Sequence, residues 1–402
     1  MKRIHQDAIA DILFKIKWES DQAFHTENYQ ADNINFWRDC LPELLYGDLE
    51  GKSIEASAIV DFGPGSLVAE HDSRQTFEIK DDQFNRRFFA DESIEPRMGR
   101  FYPKGLLKGI AGVFPQNLQP FRYVGARNGR LKVDFNHPLA KHNLQLTAIV
   151  KNIKEKASER GGRYRYWVDT ITSGPGMQSR WENRPTDFLS KDAFQRDDEH
   201  PDRLFYQKPR LVQHLDDTAV EVVKTLYGRF IKDGMQVLDL MSSWKSHMPF
   251  GVHLKKLSGL GLNAKELNNN KDLSERILHD ANKNPSLPFE TASYDVVVCT
   301  VSVEYLIHPK AVFQEVGRIL RPDGVFAVTF SNRWFPAKAI KVWKELHEFE
   351  RVGLVMEYFN NSDCFKNLET FSMRNLPRPQ HDKHYSEIDH SDPIFAVWGH
   401  KI

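Results

Sequence analysis

Three stretches within the first 150 residues alternate apolar and polar positions with a period of two. Ile12, Phe14, Ile16 and Trp18 form one series, Ile54, Ala56, Ala58 and Val60 a second, and Leu144, Leu146, Ala148 and Val150 a third. Each predicts a half-buried strand of an antiparallel sheet, because successive side chains of a strand point to opposite faces. Asn128-Gly129 separates Phe121–Val124 from Leu131–Phe135. That pair supplies the positive φ angles of a tight hairpin turn, so a hairpin is predicted there.

From about Lys154 to Pro201 the periodicity stops. Gly161-Gly162 and Ser173-Gly174-Pro175-Gly176 are set among Tyr164, Tyr166, Trp167 and Trp181. A plain linker carries fewer aromatics, so part of this segment is expected to pack onto a neighbour or to form a lid. After Pro209 the period becomes 3.6, with Leu211, Leu215, Ala219, Val222, Val223, Leu226 and Phe230 on one helical stripe. Strands at Gln236–Leu240, Leu257–Leu262, Tyr294–Thr300 and Gly324–Phe330, with a helix at Pro309–Leu320, then predict a parallel sheet covered by helices on both faces. Pro393–Trp398 reads as a final strand. The expected organisation is a mainly-β α+β domain over 1–155, a linker or lid over 156–205, and a doubly wound α/β domain over 206–402.

Composition adds little to this and removes several classes. The length of 402 residues fits two domains of about 100–200 residues each. Lys+Arg and Asp+Glu balance at 55 each, so no overall field draws in nucleic acid or an anionic membrane. Cys40, Cys299 and Cys364 are odd in number and far apart, which fits a reducing, cytoplasmic setting better than a disulfide framework. No run approaches the roughly 18 uninterrupted apolar residues of a membrane span, and the N-terminus lacks a signal-peptide core.

Three segments carry chemistry. Val237-Leu238-Asp239-Leu240 is the first strand of the second half. Leu287-Pro288-Phe289 leads to Ser293-Tyr294-Asp295-Val296-Val297, and Phe313–Leu320 runs into Arg321-Pro322-Asp323-Gly324. In this order and spacing they resemble the class I, Rossmann-like, seven-stranded S-adenosylmethionine-dependent methyltransferases over roughly residues 200–402. The resemblance implies S-adenosylmethionine as cofactor, with Asp239, Met241, Ser242, Ser243, Asn263, Glu266, Asp280, Ala281 and Val301 around it. Asp280-Ala281 takes the position of the family's Asp-Ala pair, whose carboxylate accepts from the adenine amino group. Trp244, His247, Tyr305 and Arg333 are implied, by position, to shape the acceptor pocket. No single residue is assigned as catalytic, since methyl transfer from a sulfonium is mainly a matter of alignment.

Two departures stand out. The family's glycine-rich loop is replaced by Leu240-Met241-Ser242-Ser243-Trp244-Lys245-Ser246-His247, which resembles the loop of a subset of similar methyltransferases. Gly261 stands where the ribose-binding acid is expected, and Asn263 and Glu266 are the expected substitutes.

The first half carries a second resemblance. Gly99–Pro103, Val133-Asp134-Phe135-Asn136-His137-Pro138-Leu139-Ala140 and the strand Asn143–Val150 look like the inserted flap and return strand of SlyD-type FKBP chaperones and prolyl isomerases. The resemblance implies binding of an unfolded or proline-containing peptide. Asp61–Leu67 departs from that family's Ala-Tyr-Gly stretch, so isomerase activity stays open. His381, His384 and His390 are too irregularly spaced for a metal site and read as solvated. The function expected is methyl transfer to a small-molecule or polypeptide acceptor, with a recruiting or chaperoning N-terminal domain. The alternatives are a folding helper on a non-catalytic methyltransferase-like scaffold and, more remotely, a dinucleotide oxidoreductase, although no Gly-x-Gly-x-x-Gly follows the first strand.

Overall fold

Residues 2–88, 93–154 and 161–402 are described by the computed structural model. The alternating series of the first half become strands, and polar stretches between them add more. In chain order these are β1 (Ile9–Glu19), β2 (Ala23–Asn35), β3 (Ser57–Phe62), β4 (Thr76–Lys80), β5 (Phe101–Pro103), β6 (Pro120–Arg127), β7 (Arg130–Asp134) and β8 (Leu144–Lys154). Ile12, Phe14 and Ile16 of β1 are buried, as are Leu144, Leu146, Ala148 and Val150 of β8. The predicted hairpin joins β6 to β7, with Asn128 at φ 52° and Gly129 at φ 72°. β3 starts at Ser57, three residues later than the alternation suggested, because Glu55 turns the chain at φ 66° and leaves Ile54 in solvent.

The second half contributes β9 (Gln236–Leu240), β10 (Lys256–Gly261), β11 (Glu275–Leu278), β12 (Tyr294–Thr300), β13 (Leu320–Phe330), β14 (Phe365–Arg374) and β15 (Ile394–Lys401). They lie in the order β11-β10-β9-β12-β13-β15-β14. The first five are parallel, and β15 runs antiparallel between β13 and β14. Helices Pro309–Ile319 and Glu348–Ser362 bury Val312, Phe313, Val316, Phe349 and Phe359 on one face of this sheet. Helix Asp217–Tyr227 buries Ala219, Val223 and Leu226 on the other. This is the doubly wound sheet expected of the second half. The helix begins at Asp217 because the Asp216 side chain accepts from the Ala219 N–H at 3.0 Å and caps it. Leu211 and Leu215, counted on the helical stripe, precede it in loop.

The sheet continues past β14. β2 pairs with it in parallel, and β1, β8 and β3 follow, giving eleven strands in one sheet. The seam is polar: His25 Nδ1 lies 2.7 Å from Thr370 Oγ1, Asn28 donates to the Ser372 carbonyl at 2.8 Å, and Glu27 accepts from Gln178 at 2.6 Å and from Ser372. These groups are buried, so their mutual hydrogen bonding is what makes the junction tolerable. β4, β7, β6 and β5 form a separate four-stranded sheet inserted between β3 and β8. Its base is held by a buried ion pair, Arg100 Nε to Glu350 Oε1 at 2.9 Å, reaching helix Glu348–Ser362. Of the aromatics between 161 and 201, Trp167 is buried against the first half, while Tyr164 and Tyr166 stay exposed. Met177 and Phe188 join the core of the second half.

Candidate active site

The order of the parallel strands reverses between β9 and β12, and side chains beyond their carboxyl ends are left without a strand to cover them. A crevice of about 380 Å³ lies there. Asp239, Met241, Ser242, Ser243, Trp244, His247, Asn263, Glu266, Asp280, Ala281, Val301, Tyr305 and Arg333 all line it. Asp239 comes from the end of β9 itself, Glu266 from helix Ala264–Asn269, and the others from the segments after β9, β10, β11, β12 and β13. The backbone is bent sharply at three of them, with Met241 at φ 59°, His247 at φ 51° and Val301 at φ 46°. A β-branched residue in that region is an outlier that surrounding structure must hold, and the Val301 N–H is held by the Thr329 carbonyl at 2.8 Å.

Both departures noted in the sequence have one structural cause. The loop after β9 descends onto β10, where the Ser242 N–H donates to the Leu260 carbonyl at 2.7 Å. A Cβ at Gly261 would stand 2.2 Å from the Ser242 carbonyl oxygen. An acidic side chain therefore cannot be accommodated at 261 while the serine loop lies as it does. A carboxylate reaches the serine loop from Glu266, in the first turn of helix Ala264–Asn269. Its Oε2 accepts from Ser243 Oγ at 2.7 Å and its Oε1 from the Arg210 N–H at 2.7 Å. Asn263 is more fully used: its oxygen caps that helix through the Lys265 and Glu266 N–H groups, and its nitrogen donates to the Tyr206 carbonyl at 2.7 Å.

Asp239 is buried and accepts from Ser242 Oγ at 2.6 Å. Loss of hydration raises its carboxyl to about 7, against the lowering effect of the serine bonds. Asp280 Oδ1 accepts from the Asn282 and Lys283 N–H groups, both at 3.1 Å, leaving Oδ2 without a hydrogen bond among the described residues. Burial lowers His247 to about 4, so its ring is neutral at pH 7. Tyr305 accepts from the Phe335 N–H at 2.8 Å, and Trp244 donates to the Val212 carbonyl at 3.0 Å.

Several lining residues had no sequence signal. Asp202, Tyr206, Arg210 and His214 come from the approach to helix Asp217–Tyr227, and none of Tyr164–Trp181 lines the crevice. The approach is strapped down from below. Lys338, fully buried, donates to the Asp198 and His200 carbonyls and lies 3.2 Å from Asp202, which also pairs with Arg196 at 2.8 Å. Asn282 ties it to the opposite wall through Asp202 and the Tyr305 carbonyl, both at 2.8 Å.

Residues 253–328 match the family model of a methyltransferase domain. No curated protein matches the chain. Among solved structures, similarity extends to the methyltransferase in complex with the Haloferax volcanii Trm112 methyltransferase activator, at 17% identity and TM-score 0.33, covering 46% of this chain and 90% of that one. The YcgJ protein of Bacillus subtilis is similar at 12% identity and TM-score 0.34, covering 46% and 98%. A SAM-dependent methyltransferase of Aquifex aeolicus is similar at 16% identity and TM-score 0.31, covering 47% and 92%. At such identities and scores these likenesses say nothing of the reaction performed here. On the family match and on the strand order around it, the C-terminal half of the chain carries a methyltransferase domain of the Rossmann-like, class I kind.

Proposed function

We propose that the chain moves a methyl group from S-adenosylmethionine to an acceptor bound in the crevice at the switch point. The reading is carried by Asp239, Ser243, Glu266 and Asp280, which come from the carboxyl ends of three successive strands, β9, β10 and β11, and line one crevice. The chemistry present suits the donor. Glu266 offers a carboxylate to the ribose diol in place of an acid at 261. Asp280 Oδ2 is open to the adenine amino group. Ser242 and Ser243 would hold the methionine end. When bound, the donor supplies a methyl group activated by a sulfonium. The protein's part is alignment, which is worth about 7–11 kcal/mol in such a displacement. Trp244, His247, Tyr305 and Arg333 shape the acceptor side, and a base is needed only where the acceptor arrives protonated.

Calorimetric titration with S-adenosylmethionine and S-adenosylhomocysteine tests the reading, alongside Ser243→Trp, which fills the loop. Micromolar binding lost in the variant is expected. Absence of heat with both compounds would leave the alternative, a non-catalytic scaffold. One observation favours that alternative: Asn263 and Glu266 already have partners within the protein.

We assign residues 1–155 to an FKBP/SlyD-like domain that recruits or shields a small-molecule or polypeptide acceptor. What supports this is the sheet inserted between β3 and β8, which presents Phe114 and Leu118 to solvent at 67% and 79% exposure. Suppression of aggregation of a reduced, unfolded protein, abolished by Phe114→Ser with Leu118→Ser, is the matching test. The free thiols Cys40, Cys299 and Cys364 suit a cytoplasmic setting.

A further inference from the structure

One wall of the crevice is aromatic, and it is built around a cation. Tyr206, Tyr305, Phe335 and His214 line it, with Phe205 behind. Tyr305 and Phe335 stack at 6.0 Å and 28°, Phe335 meets Tyr206 edge-on at 6.3 Å, and His214 meets Phe335 edge-on at 5.1 Å. The Arg210 guanidinium lies 4.5 Å from the Phe205 ring, 5.0 Å from Phe335 and 5.7 Å from Tyr206.

Arg210 has rings on its faces and, among the described residues, no ion pair at its edge. Its Nη2 donates to the Phe205 carbonyl at 3.3 Å, whereas Nη1 is buried and meets no acceptor among the described residues. Two acids that line the crevice beside it are otherwise engaged. Asp202 is paired with Arg196 and Lys338, and Glu266 takes the main-chain N–H of Arg210 and the Ser243 hydroxyl. Arg333 lines the same crevice and forms no ion pair among the described residues. A buried guanidinium donor without a partner is costly, and a carboxylate satisfies it through a charge-assisted bond. Rings at these spacings leave faces and edges for another planar ring.

We propose that the acceptor is a planar aromatic acid, its ring set among Tyr206, Tyr305 and Phe335 and its carboxylate on Arg210. This rests on the reading of the crevice as a methyltransferase site and narrows the acceptor to one chemical class. The rival occupant of Arg210 is the carboxylate of the donor itself.

The test is calorimetric, on the full chain. S-adenosylhomocysteine is titrated first, and 4-hydroxybenzoate and 4-hydroxybenzamide are then titrated separately into protein with and without it. The acid is expected to bind at least about tenfold more tightly than the uncharged amide, a difference that Arg210→Gln abolishes. Arg210→Lys, which keeps the charge but not the fork, should retain part of it, and circular dichroism checks that both variants fold. Equal binding of acid and amide, or binding of neither, would overturn the proposal. So would an Arg210→Gln variant that loses S-adenosylhomocysteine while keeping the preference for the acid, since Arg210 would then serve the donor. If S-adenosylhomocysteine does not bind at all, the methyl-transfer reading fails by itself. The Arg210-dependent preference for the acid, measured without it, still decides whether this subsite exists.

Discussion

At Gly261 the absence of a side chain is a steric requirement, imposed by the Ser242 carbonyl 2.2 Å from where a Cβ would sit. Restoring an acid there would not restore a ribose contact. Gly261→Asp is expected to cost about 1–3 kcal/mol through overpacking and to weaken donor binding. Thermal unfolding and calorimetry check both; a variant of unchanged stability with tighter binding would refute the account. Asp239 makes a pH prediction. Unfolded, its carboxyl titrates near 3.8; in the fold burial raises it to about 7. The folded state binds the proton more tightly, so this contribution to stability is complete below about pH 4 and is lost as the pH rises through 7. Asp239→Asn mimics the protonated form and removes the dependence. From pH 5 to pH 8 the variant should gain at least about 1 kcal/mol relative to the wild type in urea unfolding. No change in the difference between them would mean that Asp239 titrates normally.

At the scale of elements, the inserted sheet is anchored by Arg100 and Glu350, whose side chains are 6% and 2% exposed. The same Glu350 oxygen accepts from the Phe101 N–H at 2.9 Å. Glu350→Ala leaves a guanidinium buried without its counter-charge, a change that costs about 3–5 kcal/mol in comparable settings. Guanidinium denaturation should show a loss of that order, and limited proteolysis should cut first near β5. A loss below about 1 kcal/mol would mean that apolar packing holds the insert unaided.

Across the whole molecule the eleven-stranded sheet makes the two halves mechanically one body. β14 has β15 on one side and β2 on the other, so separation would expose a strand edge and the buried polar groups of Glu27, Asn28 and Ser372 together. A single unfolding transition is therefore expected, coincident by far-ultraviolet dichroism and tryptophan fluorescence. Two resolved transitions would show that the halves fold independently despite the shared sheet.

Local pattern alone determined much of this. Gln236–Leu240, Tyr294–Thr300 and the helix from Pro309 are strongly periodic, and Asn128-Gly129 encodes its turn in two residues, so the strands, the hairpin and the doubly wound half were legible. The loops that end at the crevice could also be named, because their residue types mark strand ends. β2 could not be read, since a strand carrying buried His25, Glu27, Asn28 and Gln30 has no apolar period, and β14, the partner that takes up those polar side chains, lies some 345 residues away. Tyr206 and Arg210 were invisible for a related reason. Their place on the wall depends on Lys338, Asn282 and Phe335, all distant in sequence. The match of a serine loop to a bare Gly261 belongs to the tertiary structure as well: residues 19 apart meet only because β9 and β10 are neighbours, and backbone contact of that kind leaves no pattern along the chain.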